Sequence, residues 1–229
     1  MRKLLLFDID GTLLDTQGAG RAALGSAMVD VYGETGPIDE FPFHGKTDPA
    51  IVRALLRAAG RTDADVDAGL PALWVAYIDY LDDELACRTD VLAICVGVTE
   101  LLAEAGAAGD LALGLVTGNV EAGAWRKLRA CGLDGSFGVG AFGSDSEHRE
   151  HLPPIAMERA RASLGVAFRP ETVIVIGDTP EDVRCARSSG VTAVAVASGR
   201  YTGEELAEHG PDYLFETLAA DGVREALFA

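Results

Sequence analysis

Short apolar runs that end in glycine and small polar residues constrain the fold of this chain more than any other feature. Such runs are typical of strands buried on both faces of a parallel sheet. Helical patterns separate them, and this alternation predicts a parallel sheet covered by helices on both sides. In such sheets ligands bind beyond the carboxyl ends of the strands, where the polar residues of this chain fall. The runs lie at residues 4–7, 111–116, 172–176 and 192–197, with a fifth candidate at 139–142.

Residues 16–88 show helical periodicity and no convincing buried strand. One helix is predicted to begin with Asp48 as its N-cap and Pro49 at its first position. A second apolar stripe has the spacing of a helix face that packs on a core, which we prefer to a cofactor role. That stripe consists of Trp74, Tyr77, Ile78, Leu81 and Leu85.

These patterns predict two structural units. A Rossmann-like, doubly wound α/β core with a parallel sheet would be formed by residues 1–15 and 89–229. Residues 16–88 would form a small α-helical domain, inserted after the first strand and lying over the strand ends. The hinges between the two units are expected near residues 15–18 and 88–97.

The charge of the chain limits its partners. It has 36 acidic against 19 basic residues, a formal net charge of −17, which opposes binding to nucleic acid or anionic membranes. No apolar run approaches the roughly 20 residues that span a bilayer, and Asp8 ends the opening run too early for a signal peptide. The four cysteines show no pairing pattern, which indicates a reduced compartment. We expect a cytoplasmic protein, a monomer by default with a dimer as the alternative.

Asp8 and Asp10 follow the first predicted strand directly, in the segment Asp8-Ile9-Asp10-Gly11-Thr12. Two like charges at the end of a buried strand are costly unless a cation or protons compensate them. Both could instead simply cap a turn. Gly11 permits a tight bend and the Thr12 hydroxyl can bond a carboxylate, which favours a functional site.

A second acidic segment follows the strand predicted at residues 172–176. Thr179 can cap a helix, Pro180 suits its first position and Asp182 lies in its first turn. A capped helix start explains these three residues but not Asp178. Beside the two aspartates of the first segment, Asp178 would complete an oxygen-rich site that suits Mg²⁺.

The segment Thr117-Gly118-Asn119 follows another predicted strand. A hydroxyl followed by exposed amides at a helix start can hold phosphoryl oxygens. An ordinary strand-to-helix turn would look the same.

In this order, the three segments resemble the motifs of the haloacid dehalogenase superfamily of hydrolases. Its first motif, DxDGT, is present from Asp8 to Thr12, and its fourth, GDxxxD, is present as Gly177, Asp178 and Asp182. The hydroxyl-bearing turn corresponds to the second motif. The inserted helical domain resembles the small cap of that superfamily, and we call it the cap. The chain is most similar to the phosphoglycolate phosphatase-like and beta-phosphoglucomutase-like members.

The resemblance implies a Mg²⁺-dependent phosphatase that hydrolyses a small phosphate monoester, of the phosphoglycolate or sugar phosphate class. Asp8 would be the nucleophile that forms an aspartyl-phosphate. Asp10 would protonate the leaving alcohol and then deprotonate the attacking water. The metal would be bound by the Asp8 side chain, the Asp10 backbone carbonyl and Asp178.

The remaining motif residues would support this chemistry. Thr117 and the amides of Gly118 and Asn119 would hold the transferring phosphoryl group. Thr12 and Asp182 would orient the site without reacting.

One departure from the family pattern concerns its third motif, a lysine on the helix before the fourth motif's strand. The chain has no lysine after Lys127. Arg149 and His151 lie where that lysine is expected, and either could take its place. Arg149 is permanently charged and can bind phosphate through two N–H groups. His151 would lose its charge as the pH rises past neutrality.

In the cap, His44 and Lys46 precede the predicted helix start, and the chain has only three lysines. We expect these two residues to read the leaving group of an acidic or hydroxylated substrate, although Lys46 could also be merely solvated.

Several other functions share this scaffold. A haloacid dehalogenase or a phosphonate hydrolase would lack the second aspartate of the first motif, so Asp10 opposes both. Lys46 nevertheless resembles the cap lysine of a phosphonate hydrolase. A phosphomutase of the beta-phosphoglucomutase type keeps both aspartates and stays open. A non-catalytic binding module is supported by the missing lysine and opposed by the intact aspartates.

Overall fold

The computed structural model describes residues 2–229. Its strands are β1 (Lys3–Phe7), β2 (Leu14–Asp15), β3 (Ala93–Ile94), β4 (Leu111–Thr117), β5 (Val139–Phe142), β6 (Val173–Gly177), β7 (Thr192–Val196) and β8 (Tyr213–Phe215). Six of them form one parallel sheet in the order β5-β4-β1-β6-β7-β8. The predicted α/β fold with a doubly wound parallel sheet is therefore confirmed.

The helices are α1 (Ala19–Tyr32), α2 (Asp48–Ala58), α3 (Asp63–Cys87), α4 (Val98–Ala107), α5 (Glu121–Ala130), α6 (Leu152–Leu164), α7 (Pro180–Ser188), α8 (Gly203–Ala207) and α9 (Val223–Phe228). No helix within residues 2–229 is both long and apolar enough to cross a membrane.

Alternating side chains of the strands fill two apolar layers, one on each face of the sheet. In β1, Leu5 and Phe7 join the layer under α4, α5 and α9, whereas Leu4 and Leu6 join the layer under α6, α7 and α8. Successive side chains of a strand point to opposite faces, so a strand covered on both sides must be apolar throughout. This is why the strand signal was a continuous apolar run.

The cap helices α1, α2 and α3 pack around one apolar cluster, which Val120 at the start of α5 also joins. The predicted stripe on α3 packs there, with Tyr77, Leu81 and Leu85 buried and the other two members partly buried. Helix α2 begins one residue earlier than predicted. Thr47 is its N-cap, because the Thr47 hydroxyl accepts the Ala50 N–H at 3.3 Å.

A two-stranded antiparallel ribbon of β2 and β3 joins the core to the cap, and it was not predicted. Leu14 pairs with Ile94 and Asp15 with Ala93. The two segments that connect the core with the cap therefore lie side by side. The ribbon lies in the segments where the hinges were predicted.

Candidate active site

The order of the strands gathers the three motifs at one edge of the sheet. Strand β1 lies between β4 and β6, with Phe7 level with Leu115 and Ile176. Because all three strands run parallel, the residues just beyond them meet at the same edge. A cavity of about 470 Å³ opens there between the core and the cap. Its lining includes Asp8, Asp10, Thr117, Gly118, Asn119, Arg149 and Asp178 from the core, and His44, Lys46 and Tyr77 from the cap.

Arg149 lies beside Asp8 at the floor of the cavity. Its Nη2 is 3.0 Å from Oδ1 of Asp8 and donates a 2.5 Å hydrogen bond to Oδ1 of Asp182. All three side chains are buried. Burial alone would lower the pKa of Arg149, but the carboxylates of Asp182 and Asp8 raise it above its usual value. The guanidinium thus stays charged and partly neutralises the acidic cluster.

His151, the other expected replacement for the third-motif lysine, is not brought to this cluster. Its side chain is exposed, and its Nδ1 lies 3.1 Å from Oγ of Ser146. Residues 149–151 form a 3₁₀ turn. Side chains two positions apart on such a turn point in different directions, so Arg149 faces inward and His151 faces solvent. The structure therefore corrects the placement of His151.

Asp8, Asp178 and Asp182 form a compact set of buried carboxylates with oxygens within 4.8 Å of one another. Burial raises the pKa of Asp8 to about 6, although Arg149 lowers it, and burial also raises the pKa of Asp178 well above its usual range. When all three are ionised, the one guanidinium leaves two negative charges uncompensated. A divalent cation would balance them, and a set of oxygen donors suits Mg²⁺.

The hydrogen bonds within this set distinguish its members. Both oxygens of Asp182 are occupied, Oδ1 by Arg149 and Oδ2 by the backbone N–H and hydroxyl of Thr179 at 3.1 and 2.7 Å. Thr179 thus caps α7, as predicted, and it forms a capping box with Asp182. From residues 2–229, Asp178 accepts only one side-chain bond, from Oγ1 of Thr12 at 3.0 Å. Asp8 and Asp178 are thus better placed than Asp182 to offer oxygens to a metal.

A separate polar network surrounds Asp10. Nζ of Lys127 lies 2.9 and 2.7 Å from the two carboxylate oxygens of Asp10 and 2.6 Å from Oδ1 of Asn119. Nδ2 of Asn119 donates to Oδ2 of Asp10 at 2.7 Å and to Oγ1 of Thr117 at 2.9 Å. The network links the first-motif and second-motif residues directly.

Lys127 is a residue of this site that the sequence patterns did not reveal. It lies on α5, one position before Leu128 on the face that also buries Ala124, and it is only 4% exposed. The available signal was a charged residue on an apolar helical stripe, in a chain with only three lysines. Such a charge is almost never fully buried unless it is paired.

The loop before α2 seats the cap on the core. The backbone N–H of Asp48 donates to the Gly118 carbonyl at 2.7 Å, and Oδ2 of Asp48 accepts the Val120 N–H at 2.8 Å. A Cβ at Gly118 would overlap the Lys46 carbonyl oxygen, so glycine is needed for this close approach. The cap loop thus contacts the second-motif turn through both the backbone and the side chain of Asp48.

His44 and Lys46 line the same cavity from the cap loop. His44 is exposed and Lys46 is partly buried, and the Lys46 ammonium makes no ion pair with any residue between 2 and 229. Although the residue is exposed overall, desolvation of its ring lowers the pKa of His44, and the charges of Arg200 and Arg21 lower it further. Arg200, from the loop after β7, adds a cation to this rim that was not expected from the sequence.

Comparison with known proteins relates this geometry to a family. A family model for haloacid dehalogenase-like hydrolases matches residues 2–190. The phosphoglycolate phosphatase of Synechococcus elongatus is 29% identical over 93% of this chain and 92% of its own length. That of Colwellia psychrerythraea is 26% identical over 95% and 94%.

Solved structures share the fold. A hydrolase from Pseudomonas syringae superposes with a TM-score of 0.71 at 20% identity, over 99% of this chain and 98% of its own. CbbY from Rhodobacter sphaeroides, solved in complex with phosphate, gives a TM-score of 0.67 at 22% identity over 97% of each chain. With the family match, these findings confirm the resemblance. The chain belongs to the haloacid dehalogenase-like hydrolase family and is an enzyme of its phosphatase type.

Proposed function

We propose that this enzyme is a Mg²⁺-dependent phosphatase that hydrolyses a small phosphate monoester through an aspartyl-phosphate on Asp8. The observation that carries the proposal is the buried carboxylate set with Arg149 against Asp8, at the strand edge shared with Thr117. Buried like charges are costly, and a fold gains nothing by keeping them together unless they serve a site.

In the first step, an oxygen of Asp8 forms a bond to phosphorus as the bond from phosphorus to the ester oxygen breaks. The leaving oxygen keeps the electron pair and takes a proton from Asp10. In the second step, a water oxygen bonds to phosphorus as the bond from phosphorus to the Asp8 oxygen breaks, Asp10 takes the water's proton, and Asp8 keeps the electron pair of the broken bond. Inorganic phosphate is released, and the Asp8 carboxylate and the protonated Asp10 are regenerated.

The other residues hold the reacting groups. Thr117 and the amides of Gly118 and Asn119 would contact the phosphoryl oxygens, while Arg149 balances the charge of Asp8. Thr12 and Asp182 would fix Asp178 and Arg149 by the bonds described above. Asp8, Asp178 and the Asp10 backbone carbonyl would hold Mg²⁺, which supplies positive charge to the phosphoryl group.

The substrate is proposed to carry an acidic or hydroxylated leaving group, read by His44 and Lys46. The Lys46 ammonium, which pairs with no carboxylate of residues 2–229, favours a carboxylate, as in phosphoglycolate, and the names of the curated relatives support the same class. A sugar phosphate is the alternative. A beta-phosphoglucomutase-type reaction would use the same core residues, and a binding module would need none of the chemistry.

We further propose that the enzyme acts in the cytoplasm on a small metabolite, without nucleic acid or membrane partners. Its net charge of −17 and its four unpaired thiols support this setting. A monomer remains the default, and a dimer the alternative.

Phosphate release from a panel of monoesters tests the proposal. The panel should contain phosphoglycolate, sugar phosphates and glycerol phosphate, each with Mg²⁺ or with excess chelator. We expect release that requires Mg²⁺ and is fastest with phosphoglycolate. Conversion of a sugar phosphate to its isomer, stimulated by a sugar bisphosphate, would show a mutase instead. Folded protein that releases phosphate from no member would contradict the proposal.

A further inference from the structure

Lys127 contacts two residues of the cavity, although the proposed reaction assigns it no role. Its ammonium bonds both oxygens of Asp10 and the side-chain oxygen of Asn119, at 2.6 to 2.9 Å. An ammonium has three protons to donate, and these three oxygens account for all of them. Lys127 is therefore fully committed to two residues of the cavity and is not free to bind substrate itself.

The fold does not require a lysine at this position. Burying an ammonium is strongly unfavourable unless its partners compensate the lost hydration. The Asp10 side chain is 42% exposed, so water could solvate its carboxylate without Lys127. Its neighbours on the buried face of α5 are Ala124 and Leu128, and an apolar residue would continue that face. The charge thus serves the orientation of Asp10 and Asn119 better than it serves packing.

The cap covers Lys127 from the opposite side. A Cβ added to Gly20 of α1 would lie 3.1 Å from Nζ of Lys127 and 3.6 Å from the hydroxyl of Tyr77. Tyr77 of α3 is itself buried and touches the cavity. Since Gly20 and Tyr77 both belong to cap helices, the burial of Lys127 depends on the cap being seated on the core.

We propose that Lys127 is a positioning residue for the acid–base step. It holds the carboxylate of Asp10 and the amide of Asn119 in one arrangement beneath the cap helices, so that Asp10 faces the leaving oxygen. This inference rests on the proposed function, in which Asp10 protonates the leaving group. Because Lys127 acts through Asp10, it contributes most where the leaving group depends most on a proton.

The dependence of rate on the leaving group tests this role. An alkoxide needs a proton as it leaves, whereas p-nitrophenolate leaves readily without one. We compare kcat/KM for glycerol phosphate and for p-nitrophenyl phosphate, because kcat/KM covers the steps up to departure of the leaving group. In Lys127→Met, we expect the glycerol phosphate value to fall about 10- to 100-fold further than the p-nitrophenyl phosphate value.

Arg129→Met is the matched control, because Arg129 lies on the same helix with its side chain 69% exposed and paired with Asp134. It should leave both values near those of the wild type. Gly20→Ala approaches Lys127 from the cap side, and its added Cβ should crowd the ammonium and shift the ratio in the same direction. It also supplies the test if Lys127→Met does not fold, as judged by circular dichroism and thermal unfolding.

Equal losses for the two substrates in the folded variants would overturn the positioning role, since a purely structural lysine would affect both alike. An unchanged ratio in Gly20→Ala would do the same if that variant alone can be measured. If the wild type releases phosphate from neither compound nor from any other monoester, the proposed function itself fails. The two failures are thus distinguishable.

Discussion

Arg149 sets the charge balance at the floor of the cavity. Its guanidinium meets Asp8 and Asp182 at 3.0 and 2.5 Å, and a single ammonium could not reproduce its planar geometry. Because Arg149 keeps its charge at every physiological pH, its partnership with Asp8 does not weaken as the pH rises. A histidine in the same place would lose its charge near neutrality.

Replacing Arg149 with Met should reduce kcat/KM for phosphate release at least about 100-fold and lower the stability by about 3 kcal/mol, because a buried partner is left uncompensated. Arg149→Lys should recover only part of the loss. His151→Ala, two residues away and exposed, should stay within about twofold of the wild type. A large loss in His151→Ala with little change in Arg149→Met would reverse the assignment.

The raised pKa of Asp48 makes the stability of the protein depend on pH. Burial raises its pKa to about 6 from 3.8, although Lys127 and the Val120 N–H lower it. Between these values the folded protein holds a proton that the unfolded chain has released, so this group's contribution to stability falls as the pH rises from about 4 to about 6. Above pH 6 the loss is complete.

Asp48→Asn removes this titration and keeps an oxygen that can accept the Val120 N–H. The stability of the variant relative to the wild type should therefore increase from pH 4.5 to pH 7.5 by about 1 to 3 kcal/mol. Thermal unfolding at both pH values measures the difference, with the exposed Asp83→Asn as control. A relative stability that decreases over the same range contradicts the assignment.

At the scale of elements, the start of α2 fastens the cap loop to the core. Thr47 caps the helix and its hydroxyl also donates to the Glu147 carbonyl at 2.8 Å, while Asp48 bonds the Gly118 carbonyl. The loop that carries His44 and Lys46 is thus held by both the helix start and the second-motif turn. Its position in the cavity depends on the close approach of the Lys46 carbonyl to Gly118, where a Cβ would not fit.

Gly118→Ala tests this close approach, because the added methyl group would overlap the Lys46 carbonyl oxygen. Overpacking of this kind costs about 1 to 3 kcal/mol, so kcat/KM should fall roughly 5- to 100-fold. Gly138→Ala is the control, since a Cβ at Gly138 would meet nothing within 4 Å. Wild-type kinetics for Gly118→Ala would show that the cap loop does not need this seat for activity.

The elements differ in how far the sequence could predict them. The five buried strands were predicted because burial on both faces requires continuous apolar runs. Strand β8, at the sheet edge, is three residues long and only partly buried, so it lacks that signal. The β2–β3 ribbon has two residues in each strand. It forms only because two segments that are far apart in the sequence, one leaving the core and one returning to it, lie next to each other.

The same limit applies to the site residues. Asp8, Asp10 and Asp178 carry their signal in short local motifs beside strands, so the sequence could indicate them. The inward direction of the Arg149 side chain depends on the 3₁₀ turn at residues 149–151. The partners of Lys127 follow the ends of β1 and β4, and one of them, Asp10, is 117 residues away in the sequence. Contacts of this kind are set by the tertiary fold.

At the scale of the whole molecule, an ion pair bridges cap and core near the cavity. Arg53 of α2 donates from Nε to both carboxylate oxygens of Glu147, at 3.1 and 2.9 Å, and from Nη2 at 2.8 Å. The Arg53 side chain is 15% exposed and also pairs with Asp67. This two-pronged contact stabilises the arrangement of cap and core that the structure shows.

Glu147→Gln should weaken the contact between cap and core by about 0.5 to 1 kcal/mol and reduce kcat/KM about two- to fivefold at low salt. Because salt screens the wild-type pair, the difference should shrink when kinetics are repeated at high ionic strength. Glu150→Gln, at an exposed neighbouring position, is the control. If the difference in kcat/KM between Glu147→Gln and the wild type grew with salt, the contact would not act as an ion pair.

The proposed mechanism requires Asp8 to attack phosphorus, and the rate of phosphate release by Asp8→Asn tests this step. The substitution keeps the side-chain shape but removes the nucleophilic charge, so the rate with Mg²⁺ should fall at least about 1,000-fold while the protein stays folded. Asp83→Asn, exposed on α3, should retain the wild-type rate. An Asp8→Asn enzyme that releases phosphate within about tenfold of the wild-type rate would contradict the account.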